Sequence, residues 1–214
     1  MSAAPQHVPT SGRRLGRPKD VASAETHERL LDVARGLFAR DGFDATTNKR
    51  IAAAAGITSG AIYHYYPSKA ELYAAVYEQV QAIVYGSFEK AVVGHDTLRD
   101  RFGAVLDAAV ETNRIDPSIA AFVVGVAGEA QRHPELRALL APVRAQHHRF
   151  LHHLAADAAD RGELANDVSP DALGDLLTAV LSGLARFSDQ TGDARRHADA
   201  VAMLRRMIDG TLLR

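Results

Sequence analysis

Between Thr46 and Leu72 the chain reads TTNKRIAAAAGITSGAIYHYYPSKAEL, and here residue types and spacing point most directly to chemistry. Ser59, Gly60, Ala61, Tyr63, His64 and Tyr65 fall on the outward side of a short helix. An outer face of small and aromatic residues, in place of Glu and Lys, is poorly suited to simple solvation. It does suit a helix laid against a phosphate backbone, where small residues admit the approach and hydroxyls donate to phosphate oxygens. Lys69 adds a point charge just beyond it. A plain helical hairpin is the competing reading, but it has no need of such a face.

The elements that must position these residues are legible from caps and turns. One helix runs from about Asn48 to Ala55, with Ile51, Ala52 and Ala55 on one side. A tight turn at Gly56 follows, then a second helix from Ser59 to Tyr66. Thr47 and Thr58 stand where an N-cap hydroxyl is wanted. Pro67 stops the second helix, and Ser68 with Glu71 forms a capping box that opens a third. Two short helices about a glycine turn make a helix-turn-helix, whose second helix can enter a DNA major groove.

The run T-T-x-x-x-I-A-x-x-A-G-I-T-x-G-x-I-Y-x-Y-Y-x-S-K-x-E-L resembles the DNA-binding domain of the tetracycline-repressor (TetR/AcrR) family of bacterial transcriptional regulators. The resemblance is specific over residues 26–77 and fades to a helical pattern beyond. It implies phosphate contacts for Thr47, Tyr63, Tyr65 and Lys69, and positions near base edges for Lys49, Ser59, Gly60, Ala61 and His64. Of these, Lys49 against a guanine or Ala61 against a thymine methyl offers the better discrimination.

Composition agrees with an all-α fold. Strand-type alternation is scarce, Ala is abundant, and with no cysteine in 214 residues there is neither a disulfide framework nor thiolate chemistry. No long apolar run and no signal peptide is found, so a cytoplasmic protein without a membrane partner is expected. Residues 1–70 carry ten Lys/Arg against six Asp/Glu, and residues 71–214 fifteen against twenty. A basic head on an acidic body is the footprint of a protein that meets DNA at one end.

Three parts follow. Residues 1–22, rich in Pro and Gly, read as a disordered basic arm whose Arg17 could enter a narrow minor groove, although a solubilising tail explains it equally. Residues 23–70 form the three-helix DNA-binding head, its first helix running from about Ala24 to Arg40. Residues 71–214 form a larger helical body for effector binding and dimerisation. Helices are predicted at about 68–88, 98–114, 117–131, 134–161, 170–190 and 194–213, for about nine in all.

Within the body, the apolar set Phe102, Leu106, Phe122, Val126, Phe150 and Leu151 reads first as core. The resemblance implies that the corresponding helices enclose a pocket for a small apolar or amphipathic effector, with His147 a candidate polar contact. His148 and His152 have a chelating spacing, yet a solvated polar face explains them more simply, so neither a metal site nor a cofactor is expected. Leu177, Val180, Leu181 and Leu184, with Leu204 and Ile208, form stripes too wide for one body to cover, which predicts a homodimer through a four-helix interface.

The function expected is a ligand-responsive repressor that binds a palindromic double-stranded operator. An effector-independent architectural DNA-binding dimer is the alternative. An enzyme using the apolar cavity with His147 as base would need a nucleophile–base–acid constellation that the sequence does not display.

Overall fold

A computed structural model describes residues 19–213, with side chains described at 24–145 and 149–213. Arg17 and most of the basic arm, and the side chains of His147 and His148, lie outside the described residues. Among the described residues the chain forms nine helices and no strand.

The head comprises α1 (Lys19–Ala45), α2 (Asn48–Ala55), α3 (Ser59–Tyr65) and the start of α4 (Lys69–Ala91). The first helix begins four residues inside the stretch assigned to the arm, because the helix-compatible run Asp20–Glu25 needs no apolar face to sustain it. Gly42 breaks it at φ 77°, ψ 176°, a conformation that residues with a Cβ avoid, and Phe43–Ala45 add a last turn. The body comprises α5 (Leu98–Ile115), α6 (Pro117–Arg132), α7 (Pro134–Asp160), α8 (Pro170–Thr191) and α9 (Ala194–Ile208). Thr97, Asp116, Ser169 and Asp193 cap four of these helices through side-chain oxygens. The last helix stops at Ile208, well short of the expected Leu213, where Gly210 takes a left-handed conformation.

Head and body are not separate cores. One cluster starts with Leu30, Phe38, Phe43, Ile51 and Ile62, continues through Leu72, Tyr73 and Val76 of α4, and ends in Ile119, Phe122 and Val126 of α6 with Leu136 and Leu140 of α7. Tyr73 joins the two parts, its ring 4.9 Å from both Phe38 and Phe122. Burial raises its phenol pKa far above the ordinary range. A second cluster gathers Phe88, Phe102, Val105, Leu106, Leu151, Leu154, Leu177 and Val201 in the body.

Candidate nucleic-acid interface and effector cavity

The helix-turn-helix is held by local chemistry. The Thr47 hydroxyl accepts from the Arg50 N–H at 3.3 Å, and the Thr58 hydroxyl from the Ala61 N–H at 3.2 Å. Gly56 turns the chain at φ 68° and returns its N–H to the end of α2. Ile51 and Ile62 are fully buried and lock the two helices together. The outward residues are then fixed by helix geometry. Lys49, Gly60 and His64 are exposed, as is Tyr63 at 55%, which excludes a core role for that ring. Ser59, Ala61 and Tyr65 are half-buried beside them.

Besides Thr47, whose hydroxyl caps α2, two members of the expected phosphate set are already engaged. Lys69 Nζ donates to the carbonyls of Phe43 at 2.7 Å and Thr46 at 3.0 Å, and sits 4.1 Å from the Phe43 ring centroid. Its ammonium therefore ties α4 to the α1–α2 corner, leaving one of its three protons for a phosphate. Tyr65 packs its ring on His27 at 5.3 Å and on His64 at 5.6 Å. Sequence reasoning missed this, since Lys69 meets Phe43 across 26 residues.

The body holds a cavity of about 140 Å³ between α4, α5, α6, α7, α8 and α9. Tyr85, Phe88, Ile119, Val123, Leu181 and Leu184 make apolar walls, and no Asp, Glu, Lys or Arg lines it. Its polar groups include Gln81, Asn113, Ser188 and His197, each more than nine-tenths buried. His197 Nδ1 is buried with no hydrogen-bond partner, and desolvation lowers the imidazole pKa.

This cavity differs from the expected pocket. Of the residues named, Leu151 lines it, and Phe150 lies just behind, 5.9 Å from the Tyr85 ring. Leu106 is body core, Phe102 lines a surface groove beside α8 and α9, and Phe122 with Val126 packs beneath the head. Apolar periodicity showed that these faces are buried, not what they are buried against. Asn113, Ser188 and His197 were missed, although a signal existed. Each continues an apolar stripe at helical spacing: Phe102–Leu106–Ala109–Asn113, Leu177–Leu181–Leu184–Ser188 and His197–Val201–Leu204–Ile208.

The expected interface set divides too. Leu177 is only 6% exposed within its own chain, and Leu181 and Leu184 face the cavity. Half-buried Val180, Leu204 and Ile208 border the surface groove. On α8 and α9 the large apolar residues left outward are Leu176, Met203 and Met207, at 57%, 44% and 58% exposed. The histidine helix also departs from expectation, for His152 faces α8, with Nε2 3.3 Å from Asp175 and Gly174 against its ring.

The model of bacterial regulatory proteins of the tetR family matches residues 30–76, and that of the tetracyclin repressor-like C-terminal domain matches residues 92–204. The chain belongs to the TetR family. It is thus a helix-turn-helix regulator and not an enzyme. This TetR-family chain is 27% identical over 188 residues to the HTH-type transcriptional regulator UidR of Escherichia coli K12, covering 87% of the chain and 93% of that protein. Salmonella enterica GusR superposes with a TM-score of 0.65 at 28% identity, covering 94% of this chain and 99% of that one. FadR of Bacillus subtilis, solved in complex with stearoyl-CoA, shares the fold at TM-score 0.72 and 16% identity, covering 84% and 97%. Among the described residues no helix is long and apolar enough to cross a membrane.

Proposed function

We propose that this TetR-family chain is a ligand-responsive repressor. It binds a palindromic double-stranded operator as a homodimer and releases it when a small uncharged amphipathic molecule enters the body cavity. The observation that carries this reading is the position of α6. Its Ile119, Ala120 and Val123 wall the cavity, and both of its ends are fastened to the head. At the start, buried Arg35 of α1 pairs with Asp116 at 2.5 Å and donates to Ser118 Oγ at 3.0 Å. At the end, Glu129 accepts the Phe43 N–H at 3.1 Å.

A molecule that prefers a displaced α6 shifts the heads by its difference in affinity for the two states, and by no more. Heads spaced about 34–36 Å apart meet successive major grooves, and another spacing releases one of them. The exposed Leu176, Met203 and Met207, with small Ala179 and Gly183 alongside, support pairing of α8 and α9 across a two-fold axis. The chemistry of the cavity supports the effector class. Apolar walls want a hydrocarbon portion, the buried Gln81, Asn113, Ser188 and His197 want hydroxyl or carbonyl groups, and a charged ligand finds no counter-ion there.

The test is selection of bound fragments from random DNA at stated salt, followed by release with a panel of neutral amphiphiles. An enriched palindrome, release by at least one compound, and loss of that release in Val123→Trp with DNA binding retained are the expected results. Salt-sensitive binding without an enriched sequence would replace this reading with the architectural one.

A further inference from the structure

We propose that Asp44, Glu129 and His133 form a binding site for a first-row divalent transition-metal cation that bridges head and body. The three come from two parts of the fold: Asp44 from the last turn of α1, Glu129 from the end of α6, and His133 from the α6–α7 corner. One ligand atom from each lies within 4.8 Å of the other two. His133 Nε2 is 3.3 Å from Asp44 Oδ1 and 3.6 Å from Glu129 Oε2. A tetrahedral ion with bonds near 2.0–2.1 Å sets its ligand atoms about 3.3 Å apart. A charge-assisted N–H···O bond is shorter, about 2.7–2.9 Å. The spacing therefore suits atoms arranged about a common centre better than a direct ion pair.

Two further observations point the same way. His133 Nε2 is buried and makes no hydrogen bond. Glu129, only 6% exposed, holds its Oε2 beside it with Arg132 as ion-pair partner, and Asp44 closes the cluster from the solvent side at 72% exposed. On the other side of the ring, the exposed Glu135 carboxylate lies 3.6 Å from His133 Nδ1, beyond hydrogen-bond distance, on the side from which an outer carboxylate can orient a ligating imidazole. Glu129 Oε1 is separately held by the Phe43 N–H, so the carboxylate is fixed in direction. Two carboxylates and one imidazole favour Zn, Co, Ni or Mn over Ca and Mg.

The one cation facing this cluster from its own helix is Arg132, 2.9 Å from Glu129 Oε2 and 60% exposed. It neutralises the carboxylate and must swing outward when the metal binds. The site is argued from its own geometry. Its effect on DNA, by fastening Asp44 three residues ahead of Thr47 to α6, rests on the function proposed above.

The experiment uses the full chain and Co²⁺ as probe, read by its d–d absorption, with Zn²⁺ read by thermal stabilisation. Wild-type protein should show d–d bands and a Zn²⁺-dependent rise in Tm. Asp44→Asn and His133→Gln, each checked for native helicity, should weaken Co²⁺ binding by at least about tenfold. Arg132→Gln should tighten it by removing the competitor. Co²⁺ binding left intact by both ligand changes but lost in the double variant His148→Gln, His152→Gln would place the metal on α7 and overturn the proposal. Failure of the wild type to bind Co²⁺ or Zn²⁺ would overturn it as well. None of these readouts involves DNA, so failure here leaves the operator reading standing.

Discussion

Glu129 of α6 accepts the backbone N–H of Phe43 at 3.1 Å, across 86 residues of sequence. Phe43 follows the glycine that breaks α1, and its carbonyl receives the Lys69 ammonium at the start of α4. One residue's backbone thus ties the body to the corner from which the helix-turn-helix departs. Glu129→Ala leaves that buried N–H unpaired and should cost about 1–3 kcal/mol of stability, measured by urea denaturation. Effector release should also be blunted in DNA-binding titrations. A variant as stable and as responsive as wild type would remove Glu129 from the coupling.

Gly42 is tested in the same corner. Its φ of 77° disfavours any side chain, and an added Cβ would sit 3.1 Å from Glu129 Oε1. Gly42→Ala should lose about 1–3 kcal/mol, with the larger effect if the Phe43–Glu129 bond breaks. Gly183→Ala, where a Cβ meets open space within the chain, should be nearly neutral for the fold of one protomer.

For DNA, Tyr63→Ala should weaken binding to all sequences alike, because an exposed phenol on the outer face suits phosphate. Lys49→Ala should relax preference at one base position per half-site by about 1–3 kcal/mol, seen by repeating the selection. Lys69→Ala should lose both affinity and about 1–3 kcal/mol of stability, since its protons also satisfy two backbone carbonyls. A salt slope unchanged in Lys69→Ala would assign that residue to structure alone.

Leu176→Lys combined with Met207→Lys places charge on the outward stripe of α8 and α9. Sedimentation should report a monomer with native helicity and sharply reduced operator affinity. A persistent dimer would move the interface elsewhere on the body.

His197 makes a pH prediction. Burial lowers its pKa, so the unfolded chain takes up a proton that the folded chain refuses. Stability should therefore be fully present above the ordinary imidazole value of about 6.5, and decline as pH falls from there through the folded pKa. His197→Gln should flatten that part of the profile in denaturation curves at pH 7.5 and 5.5. A profile identical to wild type would assign the acid sensitivity to other groups.

The sequence by itself determined the order of the nine helices among the described residues, the turn at Gly56, and the caps at Thr47, Thr58 and Ser68. Each of these is chemistry between residues within about four positions of one another, and the outward face of α3 follows from helix periodicity once its ends are set. Tertiary structure alone decided the partners of each apolar stripe. Phe122 and Val126 read like pocket residues and lie under the head, while Leu181 and Leu184 read like an interface and wall the cavity. A stripe reports that a face leaves water; the burial gain is non-directional and does not choose the neighbour. The same holds for Lys69–Phe43, Arg35–Asp116 and Glu129–Phe43. These pairs form because helices distant in sequence pack side by side, and nothing local to either partner announces the other.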